Sequence, residues 1–141
     1  MNKRRNNELM GLADNALRMK KVLFKSDNYD IDASYNGQIA SLGVAIAMSG
    51  LRPSLAIFYQ DGNSKVNRRN ILSVIAEMIK NDKNRDLEDA KDDDFNDAKS
   101  FFSYALKSDL STSGLKKLTK EVEDCSIALK QVVRTYNLIG S

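Results

Sequence analysis

Apolar residues recur at helical spacing along most of this chain, and one long segment breaks that pattern. In the N-terminal part, Leu9, Ala13, Ala16, Leu17, Leu23 and Phe24 form an apolar stripe that predicts a first helix from about Lys3 to Lys25. Arg18, Lys21 and Lys25 fall on another face of it, three and four residues apart. Ser26-Asp27-Asn28-Tyr29-Asp30 follows as a polar loop of turn formers. The departure comes next: no charged residue occurs from Ala33 to Leu51, in a protein with 29% charged residues. This run predicts a helix over Ser34–Ser49, buried on most of its faces, with Gly50 as its C-terminal stop. Gly37, Ala40, Ser41, Gly43, Ala45 and Ala47 keep it thin, which suits close approach of neighbouring helices despite the propensity lost at glycine. Arg52-Pro53 closes the run, and Pro53 is placed to start a short third helix to Tyr59, ending near Asp61-Gly62.

Asn67 is positioned to cap a fourth helix with the stripe Ile71, Leu72, Ile75, Met78 and Ile79, closing at Asn81-Asp82. Residues 82–93 are highly charged, with Leu87 the one large apolar side chain, and read as a charged mobile loop or a solvated helix. Asp93 or Asp94 would cap a fifth helix carrying Phe95, Ala98, Phe101, Phe102, Ala105 and Leu106. Ser111-Thr112-Ser113-Gly114 reads as a turn, and Leu118, Val122, Cys125, Leu129, Val132, Val133 and Tyr136 mark a last helix from about Leu115 to Leu138, with Gly140 as a stop. No segment shows sustained strand alternation, and there is no solenoid-type repeat. The expected fold is all-α: a single domain over residues 1–141, with five to six helices around a thin, apolar central helix.

The 141-residue length is enough to bury a core without disulfides or metal. The single cysteine, Cys125, has no partner for an internal disulfide, which fits a cytoplasmic location. No secretory signal is visible, since the basic Lys3-Arg4-Arg5 is not followed by an uninterrupted apolar stretch. The apolar run from Gly37 to Leu51 is shorter than the roughly 20 residues that a bilayer requires, so no membrane partner is expected. The absence of histidine excludes Ser-His and Cys-His catalysis, and one cysteine without histidine gives zinc no ligand set. Glycine-rich nucleotide motifs are absent too. The reading is a non-enzyme without cofactor. Asp92-Asp93-Asp94 offers clustered oxygens, but its spacing is not that of an EF-hand, and acids at a helix start already favour the dipole.

Charge distribution says more than the net charge of +3. Residues 1–25 carry an excess of five positive charges, and residues 82–97 an excess of five negative ones. Three basic groups are candidates for RNA backbone contact: Arg18, Lys20, Lys21 and Lys25; then Lys65, Arg68 and Arg69; then Lys116 and Lys117, with Lys120 beside them. Basic residues at a helix start oppose the macrodipole, so local stability does not explain the second and third groups. The alternative is a solvated surface with intrachain pairs such as Asp14–Arg18. Helical projection turns Arg68 toward the apolar face, as a partly buried arginine pairing with a carboxylate, and makes Arg69 the better exposed contact. Tyr29, Tyr35, Tyr59, Tyr104 and Tyr136 are able to stack on bases, or to sit at the edge of the core.

The stretch Tyr35-Asn36-Gly37-Gln38-Ile39-Ala40-Ser41-Leu42-Gly43, continuing to Met48-Ser49-Gly50-Leu51-Arg52-Pro53-Ser54-Leu55-Ala56-Ile57-Phe58-Tyr59, resembles the Cmr small-subunit family of type III-B CRISPR-Cas effector complexes. In that family a tyrosine-led apolar helix ends at a Gly-Leu corner, and a short helix with a Leu-Ala-Phe-Tyr-like stretch follows. The match covers roughly residues 33–80; the C-terminal third departs from it. The resemblance implies a non-catalytic, cytoplasmic subunit in antiviral defence that stacks with copies of itself along the other subunits of the complex. It also implies contact with guide RNA and target RNA, and no cofactor. The competing expectation is a helical adaptor or homo-oligomer that binds no nucleic acid.

Overall fold

A computed structural model describes residues 1–60 and 66–140. Six α-helices account for most of them: α1 (Lys3–Lys20), α2 (Ser34–Ser49), α3 (Leu51–Tyr59), α4 (Arg69–Asn81), α5 (Ala98–Ala105) and α6 (Thr112–Val133), with a 3-10 turn at Asp92–Phe95 before α5. The all-α single-domain expectation holds. One small departure is a parallel pair of two-residue strands, β1 (Ile31–Asp32) and β2 (Leu138–Ile139), in register Ile31 to Leu138 and Asp32 to Ile139. Two residues are too few for a period-two pattern to be visible in sequence.

Side-chain caps set several helix starts. Asn2 Oδ1 accepts from the Arg5 amide at 2.8 Å, Asp97 Oδ1 from Ser100 at 2.8 Å, and Ser111 Oγ from Gly114 at 2.9 Å. The segment expected as a turn, Ser111–Gly114, is therefore the capped first turn of α6, and Asp97, not Asp93 or Asp94, opens α5. Gly114 fits tightly there: a Cβ would lie 3.0 Å from both Glu88 Cδ and Leu110 Cδ1, so those side chains would have to give way. Helix α1 stops five residues before the expected Lys25, because Lys21 adopts a left-handed conformation (φ 59°) and its amide donates to Leu17 O. Leu23 and Phe24 still turn inward, through a turn that bridges Phe24 to Ile31. Residues 82–91 are irregular, and the 3-10 turn follows them.

The centre of the bundle is α4, not α2. Ile71, Leu72, Val74, Ile75, Ala76, Met78 and Ile79 are all fully buried, and α4 packs against α1, α3, α5, α6 and the 3-10 turn. Each aliphatic side chain so removed from water contributes about 1.5–3 kcal/mol. Helix α2 lies outside, on α3 and α6, and buries one stripe: Tyr35, Ile39, Leu42 and Ile46. Its other face is uncharged and open, with Val44 59% and Met48 81% exposed. Its two glycines are not needed for close approach among the described residues. A Cβ at Gly37 would meet nothing within 4 Å, and one at Gly43 only Ser126 Oγ at 3.9 Å. Among the described residues, no helix is long and apolar enough to cross a membrane.

Candidate nucleic-acid interface

The first basic group gathers at the corner where α1 ends. Arg18 and Lys20 lie in the last turn of α1, where positive charge suits the helix dipole. Lys21 is the left-handed cap, and Lys25 lies in the following loop; both are exposed. The loop is braced: Phe24 N–H donates to Lys21 O (3.2 Å), Tyr29 N–H to Ser26 O (3.2 Å) and Lys25 N–H to Asp30 O (2.6 Å).

Arg18 stands at the edge of this corner between two rings, its guanidinium carbon 5.3 Å from the Tyr29 centroid and 5.7 Å from that of Tyr136. Its Nε donates to Asp14 Oδ2 at 3.2 Å, and the Tyr136 hydroxyl donates to the other oxygen of Asp14. The bond to Asp14 raises the Arg18 pKa further above its ordinary value. Burial, then the bond to Asp14, pushes the Tyr136 phenol up to about 12. The rest of the Arg18 guanidinium lies against the two rings, and its side chain is 52% exposed. Lys21, Phe24, Lys25, Ser26, Asp27 and Tyr29 line a hollow of about 340 Å³ beside it.

The other candidates are placed differently. Lys20 Nζ donates to Asn96 O at 2.7 Å and lies 3.7 Å from Glu77 Oε1, so it ties α1 to α4 and the start of α5. Arg69, expected to be the exposed contact, is half-buried: Nε donates to Tyr59 O at 2.8 Å, and its guanidinium lies 4.4 Å from the centre of the Tyr59 ring. Arg68 is partly buried, as expected, and lies over the Phe58 ring at 5.0 Å, with no carboxylate partner among the described residues. Its Nε has no hydrogen bond among the described residues. Lys65 lies outside the described residues. Lys116 is exposed, Lys117 Nζ lies 3.3 Å from Asp86, and Lys120 pairs with Asp124 at 3.2 Å.

The three groups do not converge. Asn70, in the first turn of α4, donates to Val22 O at 3.3 Å, which puts the second group at the same end of the molecule as the first. Lys117 and Lys120 instead line a hollow with Arg5. At 1.5 Å per residue, Arg5 and Lys21 are about 24 Å apart along α1.

A fourth ionic cluster lies outside the three basic groups. Arg5 Nη1 and Nη2 donate to the two oxygens of Asp82 at 3.0 and 2.5 Å, and Nη2 also reaches both oxygens of Glu121 at 3.0 and 2.9 Å. Asp82 and Glu121 are buried. Burial, then a hydrogen bond to Asp82 and its charge, pushes the Glu121 carboxyl up to about 8. Burial opposes ionisation of Asp82 as well, but hydrogen bonds from Arg5 and Glu121 outweigh it and lower the Asp82 pKa. Of the pair, Glu121 is thus the carboxyl that takes up a proton more readily. Cys125 lies fully buried nearby, its thiol pushed well up by burial, and so is unreactive. The available hint was Glu121 itself, a carboxylate on the apolar stripe between Leu118 and Val122.

The Asp92–Asp94 run is spent on local bonds. Asp92 accepts from Arg85 at 2.8 Å, and Asp94 accepts from the Lys91 amide at 2.8 Å. Among the described residues no three His, Cys, Asp or Glu converge on a possible metal position. Comparison with known proteins returned no matching family model, no matching curated protein and no matching solved structure.

Proposed function

We propose that this chain is a non-catalytic structural subunit of an RNA-guided, RNA-targeting effector complex of the type III-B CRISPR-Cas kind. In that role it stacks with copies of itself and touches RNA backbone without reading sequence. The observation that carries this reading is the Tyr35–Tyr59 signature, with its apolar helix, Gly-Leu corner and short second helix. The order α2, corner at Gly50 (φ 88°), α3, α4 agrees with it. Arg18, Lys21 and Lys25 are the RNA contacts best supported by exposure, since phosphate binding needs unspent cations that water can leave. Lys20 and Arg69 serve the fold instead. The guide and target RNA and the larger subunits are the partners in this reading.

A tagged pull-down from the native host, with and without ribonuclease, read by native mass spectrometry, tests the assembly. Recovery of several copies with larger repeat-type subunits and a short RNA is the expected result. Recovery of the chain alone, or of unrelated proteins without RNA, overturns the reading. At the site level, the double variant Lys21→Glu, Lys25→Glu is expected to weaken RNA binding and reduce the slope of log affinity against log salt by about two to four. An unchanged slope removes the corner from the interface.

One observation favours a second reading, an adaptor or homo-oligomer without nucleic acid. The open face of α2 continues onto α6 at Ile127, and Ile39, Ala40, Gly43, Val44 and Ile127 help to line a hollow of about 430 Å³. Association through that face would ignore added RNA and survive nuclease treatment.

A further inference from the structure

Of the five tyrosines, one is exposed beside cations that have no ion pair among the described residues. Tyr35 and Tyr104 are buried, Tyr59 stacks on Phe102 (centroids 5.1 Å apart), and the hydroxyl of the half-buried Tyr136 is spent on Asp14. Tyr29 is 44% exposed, in a left-handed conformation (φ 60°) that a tyrosine adopts only when its surroundings hold it there. The surroundings are visible. Phe24 meets the ring edge-on at 4.9 Å, Arg18 lies over it, and the Tyr29 amide is bonded to Ser26 O. A strained backbone therefore holds an exposed aromatic residue in the lining of a hollow that Lys21 and Lys25 also line.

We infer that this corner takes an unpaired nucleotide of single-stranded RNA, its base on the Tyr29 ring and its neighbouring phosphates at Lys21 and Lys25. The inference rests on the RNA-binding reading above and narrows it. Phosphate contacts alone accept duplex and single strand alike. An exposed ring adds nothing to a duplex, whose bases are already stacked on each other, and adds a stacking partner for every unpaired base. The hollow, about 340 Å³, is at the small end of the range for ligand sites, the scale of one nucleotide. Arg18 acts as a positioning residue: held by Asp14, it lies over the Tyr29 ring and keeps it in place. Asp27 lines the same hollow and opposes phosphate, so Asp27→Asn strengthens binding. Asp30 is occupied by Ser26 (3.4 Å) and Asn137 (2.9 Å).

The test titrates the full chain with a short labelled single-stranded RNA and with a blunt duplex of the same sequence, by fluorescence anisotropy across a salt series. With no tryptophan in the chain, the part of the tyrosine quenching that is lost in Tyr29→Phe reports stacking on Tyr29. Tyr29→Ala is expected to lower single-strand affinity about tenfold, leave the salt slope unchanged and leave duplex binding unchanged, while Tyr29→Phe binds like the wild type. Tyr29→Asn, which suits the left-handed backbone, gives the same loss if the alanine variant melts early. Equal single-strand affinity in Tyr29→Asn and wild type overturns the inference, as does an equal loss on the duplex. If only the Lys21, Lys25 double variant loses affinity, the RNA reading stands and the stacking fails. If neither variant changes binding, both fail.

Discussion

Helix α1 carries an arginine near each end, and the two have opposite fates. Arg5 is clamped by two buried carboxylates, one through each terminal nitrogen and both through Nη2. Arg18 has a single exposed carboxylate partner and two rings, and its side chain stays half exposed. The first arrangement spends every charge inside the fold, where removal of water makes each ion depend on the others. The second leaves charge that solvent screens and that an external anion can claim. A basic residue is informative about binding to the extent that the fold has not already consumed it.

The largest expected effect comes from breaking the buried side. Arg5→Met leaves Asp82 and Glu121 without their cation, and is expected to cost about 3–5 kcal/mol in urea unfolding at neutral pH. A loss below about 1 kcal/mol would mean that the pair is more hydrated than its burial implies.

The second effect is a pH dependence of known sign. Glu121 titrates higher in the folded chain than unfolded, so its contribution is full below about pH 4.5 and is lost as pH rises toward about 8. Asp82 acts the other way, with stability present above about pH 3.8 and lost on acidification below it. Between about pH 4.5 and 8 the unfolding free energy should fall by up to about 1.4 kcal/mol per pH unit relative to Glu121→Gln, whose neutral amide has no proton to lose. Parallel profiles of the two proteins would show that Glu121 is ionised in the native state.

The smallest effect belongs to the exposed side. Arg18→Ala is expected to change unfolding free energy by less than about 1 kcal/mol, as an exposed i, i+4 pair does, while weakening RNA binding. A larger destabilisation would make Arg18 a structural residue like Arg5, and the contrast between the two ends of α1 would vanish.

Much of the fold was legible because local chemistry decided it. The limits of α2 followed from Gly50 and the uncharged run, and the end of α4 from Asn81-Asp82. What misled was the equation of missing charge with burial. Helix α2 lacks charge yet faces solvent at Val44 and Met48, whereas α4, with Glu77, Lys80 and two arginines at its start, is the true centre. Amphipathic periodicity was the better guide there. At the candidate site, Arg18, Lys21 and Lys25 were expected on one helical face, but the helix ends at Lys20, and Lys21 and Lys25 lie in the cap and the loop that follow. Arg69 and Lys20 were not separable from them, because their partners Tyr59 O and Asn96 O are backbone carbonyls that leave no trace in sequence. The bond between Asp14 and Tyr136 spans 122 residues, and nothing local announces it.

The pairing of Ile31 with Leu138 and Asp32 with Ile139, together with Tyr136 under Arg18, has a consequence for how the molecule comes into being. On the ribosome, α1 and the loop that bears Lys21, Lys25 and Tyr29 emerge early. The strand and ring that fix them arrive more than 100 residues later, after about 5–20 seconds of synthesis. A nascent chain thus carries the cations long before it carries the surface that orders them, and acquires a shaped corner only when residues 136–139 have left the ribosomal tunnel.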